Sequence, residues 1–255
     1  MGMITFLKEH TPWAIRRIVR NFNRRLAAIE ESRLTTKEVF TKIYAENLWG
    51  ERSRYDESDF PYYSGPGSKE ETASPYVDCV NKFIETNGVR SVVDIGCGDF
   101  RVGSRIAHSS INYIGIDIVE SLVQANQLKF GAENIMFRCL DITVDELPDG
   151  DLCLVREVFQ HLSNAAISSV LSKISKYKWV IVTENLPGPI GSFEPNRDKP
   201  NGRDARCVWN SGIVLSAPPF NFPNAELILE IAVPNAEYGP TDNFSTFLIR
   251  MDQAD

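Results

Sequence analysis

Short apolar segments alternate with amphipathic segments along the centre of the chain. Five segments contain short runs of apolar residues and predict strands: 91–96, 112–117, 134–141, 151–157 and 178–185. Three segments between them predict helices: 101–110, 119–130 and 163–177. Strands that are apolar on both faces and alternate with helices predict a parallel sheet covered by helices on both sides.

Two further strands are predicted near the end of the chain, at residues 225–233 and 243–251. A turn containing Pro and Gly joins them, and no helix lies between them. Consecutive strands of this kind predict an antiparallel hairpin at one edge of the sheet. The whole pattern therefore predicts an α/β fold with a doubly wound, mostly parallel, seven-stranded sheet.

The residues before the sheet predict an N-terminal helix and a lid. Residues 10–30 have a basic amphipathic pattern, which fits either a helix packed on the domain or one that contacts a membrane surface or an acidic partner. Residues 48–74 are rich in aromatic residues, Gly, Pro and Ser, as is typical of a functional lid. We assign residues 1–73 to this helix and lid segment and residues 74–255 to the main domain.

A helix is predicted to open the main domain. Ser74 is expected as its N-cap and Pro75 in its first turn, and Gly88 is expected to end it. Ser163 is likewise expected as the N-cap of the helix at 163–177.

Composition narrows the class of protein. The chain has 255 residues and a formal net charge of −7, so general attraction to nucleic acid is not expected. No apolar run approaches the ~20 residues that span a bilayer. The five cysteines are scattered without a CxxC motif, which predicts reduced thiols in a cytoplasmic protein, and no metal site is expected.

The predicted strands end in residues that suit a nucleotide-type ligand. In an open α/β sheet the ligand lies beyond the carboxyl ends of the strands. The first strand presents Asp94, Gly96 and Gly98, whose glycines allow a tight turn with free amide N–H groups facing a ligand. Asp117 ends the second strand at the distance expected of a carboxylate that binds a ribose, and Asp141 ends the third.

The glycine loop fits a cationic cofactor better than a dinucleotide. A dinucleotide fingerprint requires a third glycine where this chain has Arg101. Asp94 and Asp99 flank the glycines, and two carboxylates oppose a pyrophosphate but favour a sulfonium and an α-amino group. A nicotinamide-dependent dehydrogenase is therefore disfavoured.

Four motifs in order, VVDIGCGDF, YIGIDI, FRCLDI and DLCLVREVFQHL, resemble those of class I S-adenosylmethionine-dependent methyltransferases. The resemblance is strong over residues 74–185. YSGPGS (63–68) and APPFNFP (217–223) more loosely resemble a subgroup of small bacterial methyltransferases. The resemblance implies a Rossmann-like fold and S-adenosylmethionine as the cofactor.

The resemblance also implies roles for individual residues. It implies that Asp94, Gly96 and Gly98 hold the methionine part of the cofactor. It places Arg156 and Glu157 where the fourth strand opens towards the methyl group. Further cofactor contacts are implied at the ribose, the adenine and the lid: Asp117, Ile118, Asp141, Ile142, Tyr63, Ser64 and Gly65.

His161 is the first candidate for a general base. A hydroxyl acceptor needs to lose a proton, and the ordinary pKa of histidine suits this at neutral pH. Packing at the start of the next helix is the alternative role for His161. Glu157 is the second candidate base, or it orients the substrate. In the polar segment 187–210, Arg206 and Trp209 are candidates for binding the acceptor, unless the segment is only a solvated loop.

Three functions stay open at this point. We expect methyl transfer to a hydroxyl of a small molecule or glycan, without nucleic acid as a partner. N-methylation of a small amine is the first alternative, and it needs no strong base. A non-catalytic cofactor-binding subunit that docks through residues 10–30 is the second. The sequence does not fix the oligomeric state.

Overall fold

The structure is a computed structural model and describes residues 26, 29–50, 59–222, 225–233 and 242–251. Its helices are α1 (Thr36–Ala45), α2 (Glu70–Asn87), α3 (Glu120–Phe130) and α4 (Asn164–Ile174). Its strands are β1 (Ser91–Ile95), β2 (Asn112–Asp117), β3 (Ile135–Cys139), β4 (Leu152–Arg156), β5 (Trp179–Leu186), β6 (Glu194–Pro195), β7 (Ser211–Gly212), β8 (Ala225–Ala232) and β9 (Asn243–Arg250).

Seven of these strands form one sheet in the order β3-β2-β1-β4-β5-β9-β8. The strands β1 to β5 are parallel, while β9 pairs antiparallel with both β5 and β8. This confirms the predicted doubly wound sheet with an antiparallel pair at one edge. The strand order reverses between β1 and β4, and ligands of such sheets bind beyond the carboxyl ends of the strands at this point.

Apolar layers cover both faces of the sheet because alternate residues of a strand point to opposite faces. Val93 and Ile95 of β1 belong to a buried cluster that includes Ile167 of α4. Val92, which precedes Val93 in β1, belongs to a second cluster that includes Val80 of α2. The two layers leave the carboxyl edge of the sheet open to the loops.

Two of the helix predictions are wrong. Over residues 101–110 the structure has only a 3₁₀ turn, Gly103–Arg105. Gly103 packs so closely against the Phe100 ring that a Cβ there would lie 2.6 Å from it, and glycine disfavours a longer helix. The helix α2 begins at Glu70, so Ser74 is not its N-cap and Pro75 lies inside it.

Other predicted helix ends are confirmed. Gly88 ends α2 in the left-handed region with φ of 63°, where glycine has no steric penalty. Ser163 caps α4 by accepting a hydrogen bond from the Ala166 N–H at 3.2 Å. Leu162, which precedes this cap, is buried beside Ile167 of α4 in the same apolar cluster.

The lid segment lies against the main domain where the structure describes it. Tyr44 of α1 contacts the Trp49 ring and the Tyr62 ring edge-on, with centroids 5.2 and 5.9 Å apart. The predicted basic helix at 10–30 and residues 51–58 lie almost entirely outside the described residues. The predicted boundary at residue 73 falls inside α2, and the division into two parts stays a prediction.

Among the described residues, no helix has the length and apolar character needed to cross a membrane. The five cysteines all lie in the described part of the chain, and none forms a disulfide.

Candidate active site

A cavity of about 640 Å³ opens at the carboxyl edge of the sheet, where the strand order reverses. The loops after β1, β2 and β4 line it, together with α1 and residues 64–69 of the lid segment. Its size is that of an ordinary small-molecule site. The fold has therefore brought the predicted motifs to one place.

The glycine loop after β1 needs its glycines because the chain turns tightly against its neighbours. Gly96 and Gly98 have φ of 72° and 56°. A Cβ on Gly96 would lie 2.5 Å from a Val158 methyl group, and one on Gly98 would collide with the Ser64 hydroxyl. Both glycines line the cavity, as predicted.

The amide N–H groups of this loop are not free, which corrects one expectation. Gly96 and Cys97 donate to the Ile116 carbonyl at 2.8 and 2.9 Å. Gly98 donates to the Asp117 carboxylate at 3.2 Å. These bonds fasten the loop to the end of β2, so recognition of a ligand falls to the carboxylates.

Asp94 and Asp117 are buried carboxylates that line the cavity. Asp94 accepts a hydrogen bond from the Tyr113 hydroxyl at 2.6 Å, and Asp117 accepts one from the Val119 N–H at 3.1 Å. Burial raises the pKa of each to about 6, although these hydrogen bonds oppose the rise. Buried negative charge of this kind is stabilised by a cationic or hydrogen-bond-donating ligand.

The predicted adenine contacts also reach the cavity. Ile118, Asp141 and Ile142 all line it. The Asp141 carboxylate already accepts hydrogen bonds from the N–H and hydroxyl of Thr143, at 2.9 and 2.6 Å. The two isoleucines supply apolar walls.

Arg156 at the end of β4 lies between the sheet and the lid. It donates to the Gly67 carbonyl at 2.8 Å, and its guanidinium lies 5.1 Å from the Tyr76 ring centroid and 5.6 Å from that of Phe244. Its Nη1 lies 3.6 Å from the Glu157 carboxylate. Arg156 thus connects the lid to the predicted methyl-transfer end of the cavity.

Glu157 has an unusual backbone conformation and a partly buried carboxylate. Its φ is 57°, a region that non-glycine residues rarely occupy and that often marks functional positions. Burial raises the pKa of Glu157, while the Arg156 charge opposes the rise. The carboxylate lies so close to Gly67 that a Cβ there would overlap it. Sequence reasoning missed Gly67, because nothing in the pattern placed the lid against Glu157.

His161 is partly buried and lines the cavity. Its ring centroid lies 5.2 Å from that of Trp49. Burial and the nearby Lys199 charge lower the pKa of His161 to about 3, so the ring is neutral at physiological pH. A neutral ring offers a hydrogen bond but has little affinity for a further proton.

Two of the three lid residues that we predicted to contact the cofactor line the cavity. Ser64 and Gly65 line the cavity, and Ser64 Oγ accepts from the Asp99 N–H at 2.6 Å. Tyr63 is not among the lining residues; the Arg101 guanidinium lies 5.9 Å from its ring centroid.

Two predicted acceptor contacts do not reach the cavity. Arg206 is fully buried and donates to the Leu162 carbonyl at 2.6 Å, and neither it nor Trp209 lines the cavity. Asn185 at the end of β5 and Arg203 do line it, and both were missed. Arg203 lies three residues before Arg206 in the sequence. A loop has no periodicity from which we could predict which of the two faces the cavity.

A family model described as "Methyltransferase domain" matches residues 92–177. These residues run from β1 past α4 and carry the glycine loop, Asp117, Asp141 and Glu157. The chain carries an S-adenosylmethionine-dependent methyltransferase domain. The predicted enzyme class and cofactor are confirmed, whereas the likeness of 63–68 and 217–223 to one bacterial subgroup stays a prediction.

Solved methyltransferases share the fold of this domain. The N-terminal domain of EvdMO1, solved with S-adenosylhomocysteine and D-fucose, is 11% identical with a TM-score of 0.53, over 86% of this chain and 98% of that one. The 1,6-didemethyltoxoflavin-N1-methyltransferase of Burkholderia thailandensis is 15% identical with a TM-score of 0.52, over 85% and 87%. N-methyltransferase NodS of Bradyrhizobium japonicum is 13% identical with a TM-score of 0.51, over 75% and 93%. No curated protein matches the chain in sequence.

Proposed function

We propose that this methyltransferase domain methylates a hydroxyl group of a small molecule or glycan. The observation that carries the proposal is the partly buried Glu157 carboxylate, which directly follows β4 and lines the cavity, with a raised pKa. A hydroxyl is a poor nucleophile until a base removes its proton, and a carboxylate of raised pKa is suited to that step.

The residues of the cavity fit the proposed cofactor. Asp94 and Asp117 supply negative charge for an α-amino group and for ribose hydroxyls, and Ile118 and Ile142 supply apolar walls for an adenine. Gly96 and Gly98 keep the loop clear of side chains. When bound, S-adenosylmethionine supplies an electrophilic methyl group on a sulfonium.

In this proposal Glu157 takes the proton of the acceptor hydroxyl while the hydroxyl oxygen bonds to the methyl carbon. The bound cofactor would supply the methyl group and would leave as a thioether that keeps the electron pair of the sulfur–methyl bond, so no residue of the chain needs to act as an acid. His161, neutral and partly buried, orients the acceptor through a hydrogen bond. Proximity and alignment in the enclosed cavity supply much of the acceleration.

The Arg156–Glu157 pair favours a neutral acceptor over an amine. Arg156 places a positive charge 3.6 Å from the carboxylate. A protonated amine would therefore meet little net negative charge at this end of the cavity.

The cofactor and the acceptor are tested separately. Calorimetric titration of the purified protein with S-adenosylhomocysteine should give micromolar binding that Asp117→Ala removes, and a parallel titration with NAD should give none. A screen of hydroxylated acceptors with labelled S-adenosylmethionine should then give turnover. Glu157→Gln should keep cofactor binding and lose about 10²–10⁴-fold in rate. Turnover of amines alone, or full activity in Glu157→Gln, contradicts the proposal.

A further inference from the structure

The turn that follows β4, residues 158–162, is held by three buried ionisable side chains. Its N–H groups at Phe159 and Gln160 both donate to Glu184. Its carbonyl groups at His161 and Leu162 accept from Lys199 and Arg206, respectively. We call Glu184, Lys199 and Arg206 the buried clamp.

Glu184 binds the amide side of the turn with both carboxylate oxygens. Oε1 accepts from the Phe159 N–H and Oε2 from the Gln160 N–H, each at 2.9 Å. The side chain is 1% exposed on β5, and burial raises its pKa to about 8. Two backbone donors, one on each oxygen, fix the direction of the turn more firmly than one bond could.

Lys199 and Arg206 bind the carbonyl side from the segment between β5 and β8. Lys199 Nζ donates to the His161 carbonyl at 3.1 Å. Arg206 donates to the carbonyl of Leu162 at 2.6 Å and also to that of Arg197. Both side chains are buried, so Arg206, which was expected to touch the acceptor, instead supports the turn from behind.

Stability alone does not account for this arrangement. Burying a charged side chain is costly, and apolar residues of similar volume often give equal or greater stability. Apolar side chains cannot, however, form hydrogen bonds with the N–H and carbonyl groups of a turn. What the clamp provides is one backbone conformation for the turn that carries Gln160 and His161, which both line the cavity.

We propose that Glu184, Lys199 and Arg206 are positioning residues that hold the 158–162 turn so that Gln160 and His161 face the methyl acceptor. The inference rests on the proposed function, because it assigns the acceptor to this end of the cavity. None of the three residues touches the acceptor itself. Their removal therefore misplaces Gln160 and His161 without changing the cofactor end.

The test uses Glu184→Gln in the full chain. Glutamine has the same shape, but its amide group can accept from only one of the two N–H groups. The matched control is Glu226→Gln, which removes a carboxylate from the exposed ion pair with Arg250 on the far edge of the sheet. Arg206→Lys is the second clamp variant: it keeps the charge and loses the paired donors, and it carries the test if Glu184→Gln fails to fold.

The first readout is the ring of His161 itself, and it needs no acceptor. The chain has three histidines, so the His161 ring signal in an NMR spectrum can be assigned by its loss in His161→Gln. In the wild-type chain this ring should stay neutral between about pH 5.5 and 8. In Glu184→Gln it should titrate within that range, because the released turn returns the ring to water, where histidine has a pKa of about 6.5.

The second readout is kinetic. Glu184→Gln should bind S-adenosylhomocysteine within about twofold of wild type and lose about 100-fold in kcat, as expected of misplaced groups. Glu226→Gln should match wild type in both. An unmoved His161 signal, an unchanged kcat, or loss of cofactor binding in the folded variant overturns the inference. If wild type methylates no hydroxylic acceptor while the His161 signal moves as expected, the proposed function fails and the clamp stands.

Discussion

The carboxylate of Asp94 should lower the stability of the protein when no cofactor is bound. It is buried at the end of β1, and the described contact that compensates its charge most directly is the Tyr113 hydroxyl at 2.6 Å. Burial raises its pKa from 3.8 to about 6. Asp94→Asn keeps the shape and an oxygen that can accept from Tyr113, and it removes the buried charge.

The size of the effect follows from the two pKa values. One pKa unit corresponds to about 1.4 kcal/mol, so the rise from 3.8 to about 6 corresponds to about 3 kcal/mol. The folded chain binds the proton more tightly than the unfolded chain does. The contribution to stability is therefore fully present below pH 3.8 and is lost as the pH rises through 6. The neutral asparagine avoids this loss.

Urea unfolding without cofactor measures the prediction. At pH 8, Asp94→Asn should raise the free energy of unfolding by up to about 3 kcal/mol, and at pH 5 by about half as much. Calorimetry should show that the same variant binds S-adenosylhomocysteine at least tenfold more weakly, because a charged hydrogen bond is lost.

Asp151, at the opposite edge of the sheet, is the matched control. Burial acts to raise its pKa, but hydrogen bonds from the N–H groups of Arg90 and Ser91 and from the Ser91 hydroxyl leave it below the ordinary value. Asp151→Asn should therefore destabilise the chain by about 1–2 kcal/mol and leave cofactor binding intact. If Asp94→Asn is no more stable than wild type at pH 8, or binds cofactor as well, the argument from burial is refuted.

Two further substitutions separate activity from stability. Gly67→Ala places a methyl group on the Glu157 carboxylate, whose flexible end can move. We expect thermal unfolding to show a loss of stability of less than about 1 kcal/mol, but we expect turnover to fall at least 100-fold. Unchanged turnover would mean that Glu157 takes no part in the reaction. Ser163→Ala removes the N-cap of α4, so thermal unfolding should show a loss of about 1 kcal/mol with cofactor affinity unchanged; an unchanged midpoint would mean that water caps the helix equally well.

The cofactor-binding half of the site could be predicted from the sequence because its functional residues lie at the ends of strands. A strand is recognisable by its apolar run, and the residue after it lies at the carboxyl edge of the sheet. Asp94, Asp117 and Asp141 were found in this way, and all three line the cavity. The role of the glycines near Asp94 could be predicted because a tight turn allows few residue types. The hydrogen bonds of the amide groups in that turn could not be predicted, since they are formed with a carbonyl on another strand.

The acceptor half resisted prediction because loops and buried charges build it. Arg206 was expected in contact with the acceptor, as an arginine in a polar segment usually faces water or a ligand. The fold instead buries it against the carbonyl of Leu162. Glu184 lies within an apolar strand, where a carboxylate has no periodicity that would reveal its partners. Neither role can be inferred until the segment after β5 is placed beside the turn after β4.

This difference in origin explains how one fold can serve many acceptors. The cofactor end is fixed by strands whose register also fixes the apolar core, so a change at Asp94 or Gly96 alters both the stability of the fold and cofactor binding. The acceptor end depends on a turn held by side chains from another loop. Substitutions in that loop can redirect Gln160 and His161 without moving any strand. Selectivity for the acceptor should therefore change more readily through Lys199 and Arg206 than through residues of the sheet, and variants at these two positions should alter the order of preferred acceptors while S-adenosylhomocysteine affinity stays constant.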